Sequence, residues 1–423
     1  MIIKLVKNYF ILLTFFLVSL TLVSLIPDNS IKSTIGKSIK TLKHEGLYPS
    51  IGLPHREIIL DNFTDALILN TSYSVNSKKP FESFITNKRY SLPNTSNQIT
   101  SLDAGYTGKT TQKVGYERYW HGNMTYLRPL LTIFSYSQIR NLLYFLLYGC
   151  FIAFIYLSKQ KFGALFAIAT IFSFIAVDFF YLGHSLQFSP VFLLGLLAGI
   201  FLLKLHKSNF SLFPLFFMIG GLTSFFDLLT APLISLSIPL VVAIQFNRKK
   251  LREILQLCLS WTIGYAGLWA SKWFIAAATF SPNAIHTAFD QLLNRTINKA
   301  DVNFTHINTL KLNLYQLIGY DSFNRKFILV FFIFCFIFFA FFNKISFFRF
   351  KRAFPWVFVA CIPYAWYLIV ANHSYLHVWY TYRIQYLSVF GVVMGIGEFI
   401  DSQKVKRTIE TIKRRISLFK FAN

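Results

Sequence analysis

The sequence predicts an all-α polytopic membrane protein with about ten transmembrane helices and a large extracytoplasmic loop after the first of them. Composition is the first reason: 54% of the 423 residues are hydrophobic and 14% charged, where a water-soluble domain carries about 25% charged residues. Recurrence is the second. Apolar runs close to the roughly 20 residues that span a hydrocarbon core appear all along the chain rather than once at its start. The third is the placement of Lys and Arg, which gather in alternate segments between the runs, as cytoplasmic loops do.

The first run, 8–26, follows Lys4 and Lys7 as a secretory signal would. It is long for a signal core and ends in Leu25-Ile26-Pro27 without a small-residue cleavage site, so it reads as an uncleaved helix. Residues 1–26 are thus expected to form a cytoplasmic N-terminus and the first transmembrane helix. Residues 27–138 form an extracytoplasmic loop, polar through 70–115, with turn signals such as Leu92-Pro93-Asn94-Thr95. Within it, 56–69 spaces Ile58, Ile59, Phe63, Ala66 and Leu67 at mixed helical intervals, which predicts an amphipathic helix lying on the membrane surface.

Residues 139–400 form the membrane domain, with about nine further helices and an outer loop at 280–326. The runs are 139–157, 162–182, 188–204, 210–226, 232–246, 254–279, 327–343, 354–371 and 385–400. Drawn as one helix at about 1.5 Å per residue, 210–246 would be far too long for a single crossing, and Asp227 and Pro232 interrupt it. Basic clusters flank both of its ends, Lys204 with Lys207 before and Arg248, Lys249, Lys250 and Arg252 after, so an even number of crossings separates them. Residues 401–423 are a basic cytoplasmic tail. No internal repeat is visible.

Orientation follows from charge. Lys4 and Lys7, Lys159 and Lys161, the clusters around 204 and 250, Lys344 through Arg352 and the tail from Lys404 fall on one side. The opposite short loops 183–187 and 227–231 carry no Lys or Arg, and 372–383 carries only Arg383. The two long segments, 27–138 and 280–326, are basic yet placed outside, because long loops translocate largely regardless of charge. The surplus of 42 Lys and Arg over 17 Asp and Glu is therefore read as topology, and no nucleic-acid partner is expected. Cys150, Cys258, Cys335 and Cys361 sit inside apolar runs without metal-ligand spacing, so they read as small apolar residues.

With this topology, six polar or aromatic groupings share the outer side. Asp61 and Asp65, four apart, lie on one face if the segment is helical; either suits a general base or a metal ligand, and two solvated surface carboxylates are the plainer reading. Glu117 to Gly122 (ERYWHG), with Arg128 and Pro129 downstream, places Arg118, His121 and Arg128 near headgroup depth. There they suit phosphate, although aromatic residues at that depth also form interfacial belts. Asp178 lies close to His184, Ser185 and Gln187 at a very short turn. Thr223, Ser224, Asp227 and Thr230 belong to TSFFDLLTAP, where a carboxylate costing up to about 3 kcal/mol in a membrane is expected to face a cavity or a partner.

Lys272 lies inside a predicted helix, with Ser281, Pro282, Asn283 and His286 beyond it; snorkelling and pairing with Asp227 are both open to it. The sixth grouping is Asn372, His373, Ser374, Tyr375, His377, Tyr380, Tyr382 and Arg383. His373 and His377 are spaced as metal ligands can be, but no HExxH motif and no nearby acid accompany them, so phosphate or sugar recognition fits better. No metal site is assigned, although a divalent metal at Asp61 and Asp65 stays open.

TSFFDLLTAP, RYWHG with LRPLL downstream, and NHSYLHVWYTYR resemble recurring segments of bacterial multispanning membrane proteins. Those proteins in turn resemble the GT-C superfamily of glycosyltransferases that use lipid-linked sugars. The architectural similarity covers most of the chain: one helix, a large outer loop bearing acidic residues, then many helices. Here the acidic pattern is DxxxD, with Asp61 some 35 residues past the first helix, where the superfamily generally carries its acidic motif soon after that helix.

The resemblance implies transfer of a sugar from a polyprenyl-phosphate donor to a cell-envelope glycan acceptor on the outer face of the cell membrane. Asp65 or Asp61 would then take the proton of the attacking hydroxyl. Arg118, Arg128, Lys272 or Arg383 would balance the leaving phosphate, and Asp227, His121, His373 and His377 would complete the binding groups. An envelope polysaccharide polymerase or ligase on the same lipid-linked substrates is the alternative enzyme. A lipid-linked oligosaccharide transporter or flippase is the alternative of another class, since an interrupted helix with a membrane carboxylate suits it equally. No Walker-type glycine-rich run is present to bind a nucleotide.

Overall fold

A computed structural model describes residues 2–52, 58–205, 211–247, 250–297, 304–318 and 347–400, and these are helical almost throughout. Among the described residues the strands form two short antiparallel pairs, β1 (Ser50–Ile51) with β2 (Ile58–Ile59) and β3 (Arg89–Tyr90) with β4 (Lys113–Val114).

The first apolar run forms α1 (Ile2–Ser24). Beyond it a small helical unit is built from α2 (Asp28–Glu45), α3 (Asn62–Tyr73), α4 (Pro80–Thr86), α5 (Gln98–Tyr106) and α6 (Met124–Leu131). Ile31, Ile35, Ile39 and Leu42 recur on one face of α2 and pack on Ala66 and Leu69 of α3, Leu102 of α5 and Leu127 of α6. The opposite face of α2 presents Lys32, Lys37, Lys40 and Lys43 to solvent, the division expected of an amphipathic helix on a core.

An apolar bundle follows: α7 (Tyr136–Phe162), α8 (Ala164–Ala176), a 3-10 turn (Phe179–His184), α9 (Ser189–Leu205), α10 (Leu212–Phe226), α11 (Leu233–Asn247) and α12 (Leu251–Thr279). Two polar-faced helices, α13 (Ala284–Thr296) and α14 (His306–Ile318), come next. The bundle is completed by α15 (Phe347–Ile369), the short α16 (Ala371–Leu376) and α17 (Val378–Thr381), and α18 (Tyr386–Gly397). Residues 233–244 of α11 are buried without exception, which suits a helix apolar on every side. It packs against α9, α10, α12 and α18. α10 and α12 cross with backbones nearly touching: a Cβ on Gly220 would lie 2.0 Å from the Trp261 carbonyl oxygen, and one on Gly264 2.0 Å from that of Phe217. Small residues at such a crossing are what apolar helices use to approach closely.

Among the described residues three helices are long and apolar enough to cross a membrane: Ile3–Ser24, Tyr136–Phe162 and Phe347–Ile369. Ala164–Ala176, Ser189–Leu205, Leu212–Phe226 and Leu233–Phe246 are apolar but shorter. Of the ten predicted crossings, three meet that test by length and composition among the described residues. The run 327–343, the tail 401–423, Lys207, Arg248, Lys249 and Lys344 lie outside those residues. The shortening has local causes. Gly163, at φ +87°, separates α7 from α8, and Asp178, at φ +56°, ends the run 162–182 early and turns it into the 3-10 segment.

The amphipathic surface helix predicted over 56–69 is corrected. Residues 58–59 are strand, α3 begins at Asn62, and ten of its side chains, from Asn62 and Asp65 through Tyr73, are buried. Apolar spacing located a helix there, but α2, α5 and α6 cover it on the sides that the spacing left polar.

Candidate functional site

The strand pair β1–β2 delivers the chain to α3 with Leu60 N–H donating to the Pro49 carbonyl and Phe63 N–H to that of Leu47. Asp61 therefore arrives as the N-cap of α3, accepting from Thr64 N–H at 2.9 Å and Thr64 Oγ1–H at 2.9 Å. Asp is a strong N-cap because its carboxylate satisfies orphan N–H groups of the first turn. Its side chain is 5% exposed, and burial holds its pKa above the ordinary carboxylate value against the two Thr64 bonds.

Asp65, one turn on, is fully buried and has four donors: Tyr136 Oη at 2.7 Å, Ser185 Oγ at 3.1 Å, Leu186 N at 2.9 Å and Gln187 N at 3.0 Å. Burial pushes it up to about 6 despite these bonds and the charge of Arg140. Around it, Asn62 and Arg140 converge on Glu45, whose carboxylate takes both guanidinium nitrogens of Arg140 at 2.9 and 2.5 Å. Asp65 thus joins α3 to the turn before α9. The grouping around Asp178 that contains Ser185 and Gln187 meets the first acidic pair here, while Asp178 itself accepts from Tyr382 Oη at 2.5 Å.

The three segments that carried the resemblance meet one another. Gly122 N–H donates to the Phe225 carbonyl at 2.8 Å, so the RYWHG turn docks on the end of α10. Trp120 Nε1–H donates to the Leu268 carbonyl at 2.7 Å, and Asn87 Nδ2 holds the Tyr119 carbonyl at 2.9 Å. The break between α10 and α11 is closed by Asp227, whose two oxygens accept from Thr230 N–H at 3.1 Å each. Leu229 in that break has φ +69°, uncommon for a bulky residue. Its carbonyl lies 2.8 Å from His373 Nε2, which brings in the third segment.

On α16 and α17, His373 and His377 have ring centroids 4.8 Å apart, and His377 stacks on Tyr380 at 5.1 Å. Trp379 lies edge-on to His377 at 5.1 Å and to Tyr48 at 6.2 Å. Asp61, Asp227 and Arg295 all act electrostatically on Tyr380. Burial and the Arg295 charge depress His377 to about 4, so its ring is neutral near pH 7, and its buried Nδ1 has no hydrogen-bond partner among the described residues. Trp379 Nε1 is likewise buried without one.

Cations border this aromatic group without a carboxylate against them among the described residues. The Arg295 guanidinium lies over the Tyr119 ring at 5.4 Å and shares a narrow cleft with Arg118, Trp269, Trp273 and Gln291. Arg118 lies over Tyr116 at 4.7 Å, and its buried Nε has no hydrogen-bond partner among the described residues. Arg383, 1% exposed, lies over Phe188 at 4.7 Å and Tyr382 at 5.0 Å and donates to the Trp379 carbonyl at 2.9 Å, while its Nε has no partner among the described residues. A guanidinium is a fork of donors matched to phosphate or carboxylate, and three held around one aromatic cluster make a receptive site for an anion.

The structure therefore brings together Asp61, Asp227, Arg118, His373, His377 and Arg383. Two predicted residues are placed apart. Arg128 is a clamp: its guanidinium donates to the carbonyls of Val23, Ile26 and Ser72 and lies 3.5 Å from Asp28, binding the end of α1 to α3. Lys272 neither snorkels nor pairs with Asp227; it is fully buried, donates to the Phe84 carbonyl at 2.5 Å and faces the rings of Phe84 and Trp120.

His121 stands beside Lys272, Arg89 and Arg118, and burial together with these cations depresses it to about 3. It thus contributes a neutral imidazole rather than a positive charge. Both of its ring nitrogens are buried without a partner among the described residues, and its φ is +55°.

Sequence reasoning missed Arg295, Tyr48 and the Glu45–Arg140 pair. Arg295 lies on α13, whose exposed apolar face includes Phe289 and Leu293, and that amphipathic pattern inside the outer loop was the available signal. Among the described residues no group of three or more His, Cys, Asp or Glu is placed to hold a metal ion. Compared with family models, with curated proteins and with solved structures, the chain matches none.

Proposed function

We propose that this protein is a multispanning membrane glycosyltransferase that moves a sugar from a polyprenyl-phosphate donor to a cell-envelope glycan on the outer face. The observation that carries this reading is the set Arg118, Arg295 and Arg383, none with an opposing carboxylate among the described residues, around an aromatic group that adjoins the Asp61 carboxylate. Aromatic faces suit a sugar ring, guanidiniums suit its phosphate, and a carboxylate raised by burial suits a hydroxyl proton. About ten crossings with both ends cytosolic belong to the same proposal, in which the shorter apolar helices also lie in the membrane and the broken pair α10–α11 is buried against protein.

The acceptor oxygen attacks the anomeric carbon, and its proton passes to Asp61. The bond from that carbon to the phosphate oxygen breaks, and the electron pair leaves with the carrier phosphate. Arg295 and Arg118 balance the charge that develops there in a poorly hydrated site. Tyr48, His377, Trp379 and Tyr380 form the sugar wall, with Trp379 Nε1–H and neutral His377 as hydrogen-bonding groups. Of the acidic pair, Asp61 is assigned the base, because the oxygens of Asp65 are engaged by four donors.

The test is sugar analysis of the envelope glycan in cells whose only copy is Asp61→Asn, with the variant present in membranes at the wild-type level. Loss of one sugar branch is expected, and an unchanged composition overturns the proposal. Loss of chain length with all sugars retained favours a polymerase or ligase. The buried break at 227–231 also suits a lipid-linked oligosaccharide transporter, which would move carrier lipid in proteoliposomes without transfer.

A further inference from the structure

At the end of the bundle away from Asp227 and His373, the last turn of α11, the start of α12, the first half of α15 and the end of α18 enclose a pocket of about 330 Å³. Lys250, Lys351 and Arg352 line it, with Phe354, Trp356 and Glu398. We propose that this pocket binds the phosphate headgroup of an acidic phospholipid, with the acyl chain lying along α15.

Charge is the first argument. Glu398 is the one acid in the lining, and Arg352 Nε engages it at 2.8 Å. Lys250 and Lys351 are exposed and have no ion pair among the described residues, so the pocket keeps an uncompensated double positive charge. Two ammonium groups beside a guanidinium match a phosphodiester, and neither a sugar nor a cation would call for them.

Shape is the second argument. Ile244, Leu251, Pro355 and Trp356 make most of the wall apolar, which a free inorganic anion does not need. From the pocket an apolar stripe continues on the surface of α15 through Phe347, Phe350, Phe354 and Val357, 84%, 58%, 44% and 52% exposed. Spacings of three and four residues set these side chains along one face of the helix. A ligand with a phosphate at one end and a hydrocarbon chain at the other satisfies both parts. Basic pockets between helices near a cytoplasmic surface bind lipid headgroups by this division of labour. The pocket stands independently of the transferase reading; only its assignment to the cytoplasmic leaflet rests on the topology proposed there.

The experiment uses the full chain purified in detergent and offered an equal mixture of phosphatidylglycerol and phosphatidylcholine, with retained lipid read by native mass spectrometry. Several-fold preferential retention of phosphatidylglycerol is expected, falling to near parity in Lys250→Gln/Lys351→Gln. Both lysines are exposed, so an unchanged melting temperature accompanies the loss; Lys351→Glu, which removes the same two units of charge at a single site, should lower retention comparably. Preference that persists in the double variant overturns the proposal. So does inorganic phosphate that displaces the lipid at equal concentration, which would make the site one for a soluble anion. Neither result alters the glycan phenotype of Asp61→Asn.

Discussion

His373 Nε2 lies 2.8 Å from the carbonyl oxygen of Leu229, a residue held at φ +69° in the break between α10 and α11. The same break begins at Asp227, one residue beyond the α10 terminus, and Phe225 in that terminus accepts from Gly122. A ring on α16, a strained turn and the RYWHG loop are therefore one connected unit. Strain of this kind persists only where surroundings over-determine it, and it clusters at functional sites.

Asp61→Asn should abolish transfer while leaving the fold intact. Asn is as good an N-cap as Asp: its amide oxygen keeps the bond from Thr64 N–H, and Thr64 Oγ1 accepts from the amide nitrogen in place of donating to a carboxylate oxygen. Losing a general base lowers the rate by roughly 10²–10⁴-fold. Incorporation of labelled sugar into envelope glycan, set against the melting temperature of the purified variant, separates the two effects.

Asp65→Asn should behave in the opposite way. An amide retains one acceptor oxygen, so donors among Tyr136, Ser185, Leu186 and Gln187 lose their partner in a buried place. The expected cost is roughly 2–4 kcal/mol. Lower thermal stability and faster proteolysis between α3 and α9 are the readouts; a variant as stable as wild type contradicts this docking role.

Gly122→Ala tests the junction of the first two segments. The new methyl would lie 2.3 Å from Phe225 Cδ1 and 2.5 Å from the Phe225 carbonyl oxygen, so the loop must move away from α10. Overpacking of this kind costs roughly 1–3 kcal/mol. Reduced stability together with weakened polyprenyl-phosphate binding is expected, whereas a change at Gly149, where nothing lies within 4 Å, should be silent in both assays.

His121 makes stability depend on pH. Its folded pKa of about 3 lies below the ordinary 6.5, so the unfolded chain binds the proton more readily. The stabilisation is complete above pH 6.5 and is lost as pH falls through 6.5 toward 3. At about 1.4 kcal/mol per pH unit, the loss between pH 6.5 and 5 is about 2 kcal/mol. Asn tolerates the left-handed backbone found at this position, so His121→Asn should flatten that part of the profile. Melting curves of both proteins at pH 7 and pH 5 measure the difference.

Arg295→Gln should weaken binding of polyprenyl phosphate about 10- to 100-fold, the value of one charge-assisted contact. Arg295→Lys should recover part of it, since charge returns without the planar fork. Quenching of tryptophan fluorescence reports on the site directly, because Trp269 and Trp273 share the cleft with Arg295. Equal affinity in wild type and Arg295→Gln would remove this residue from the phosphate site.

The amino-acid sequence by itself determined the helical class, the position of nearly every apolar helix among the described residues, and the short segments in which the unusual polar residues lie. These are local properties: hydrophobic runs, glycine and proline punctuation and the clustering of charge are visible within a window of about 20 residues. Tertiary structure alone decided which of two carboxylates four residues apart is engaged by donors 71 to 122 positions away and which keeps only its own helix cap. It also made Arg128 a clamp, held Lys272 on a backbone carbonyl, and set Arg295 beside rings from distant segments. The physical reason is that burial follows local pattern, whereas a buried polar group takes whichever partners the packing of remote helices brings within about 3 Å of it.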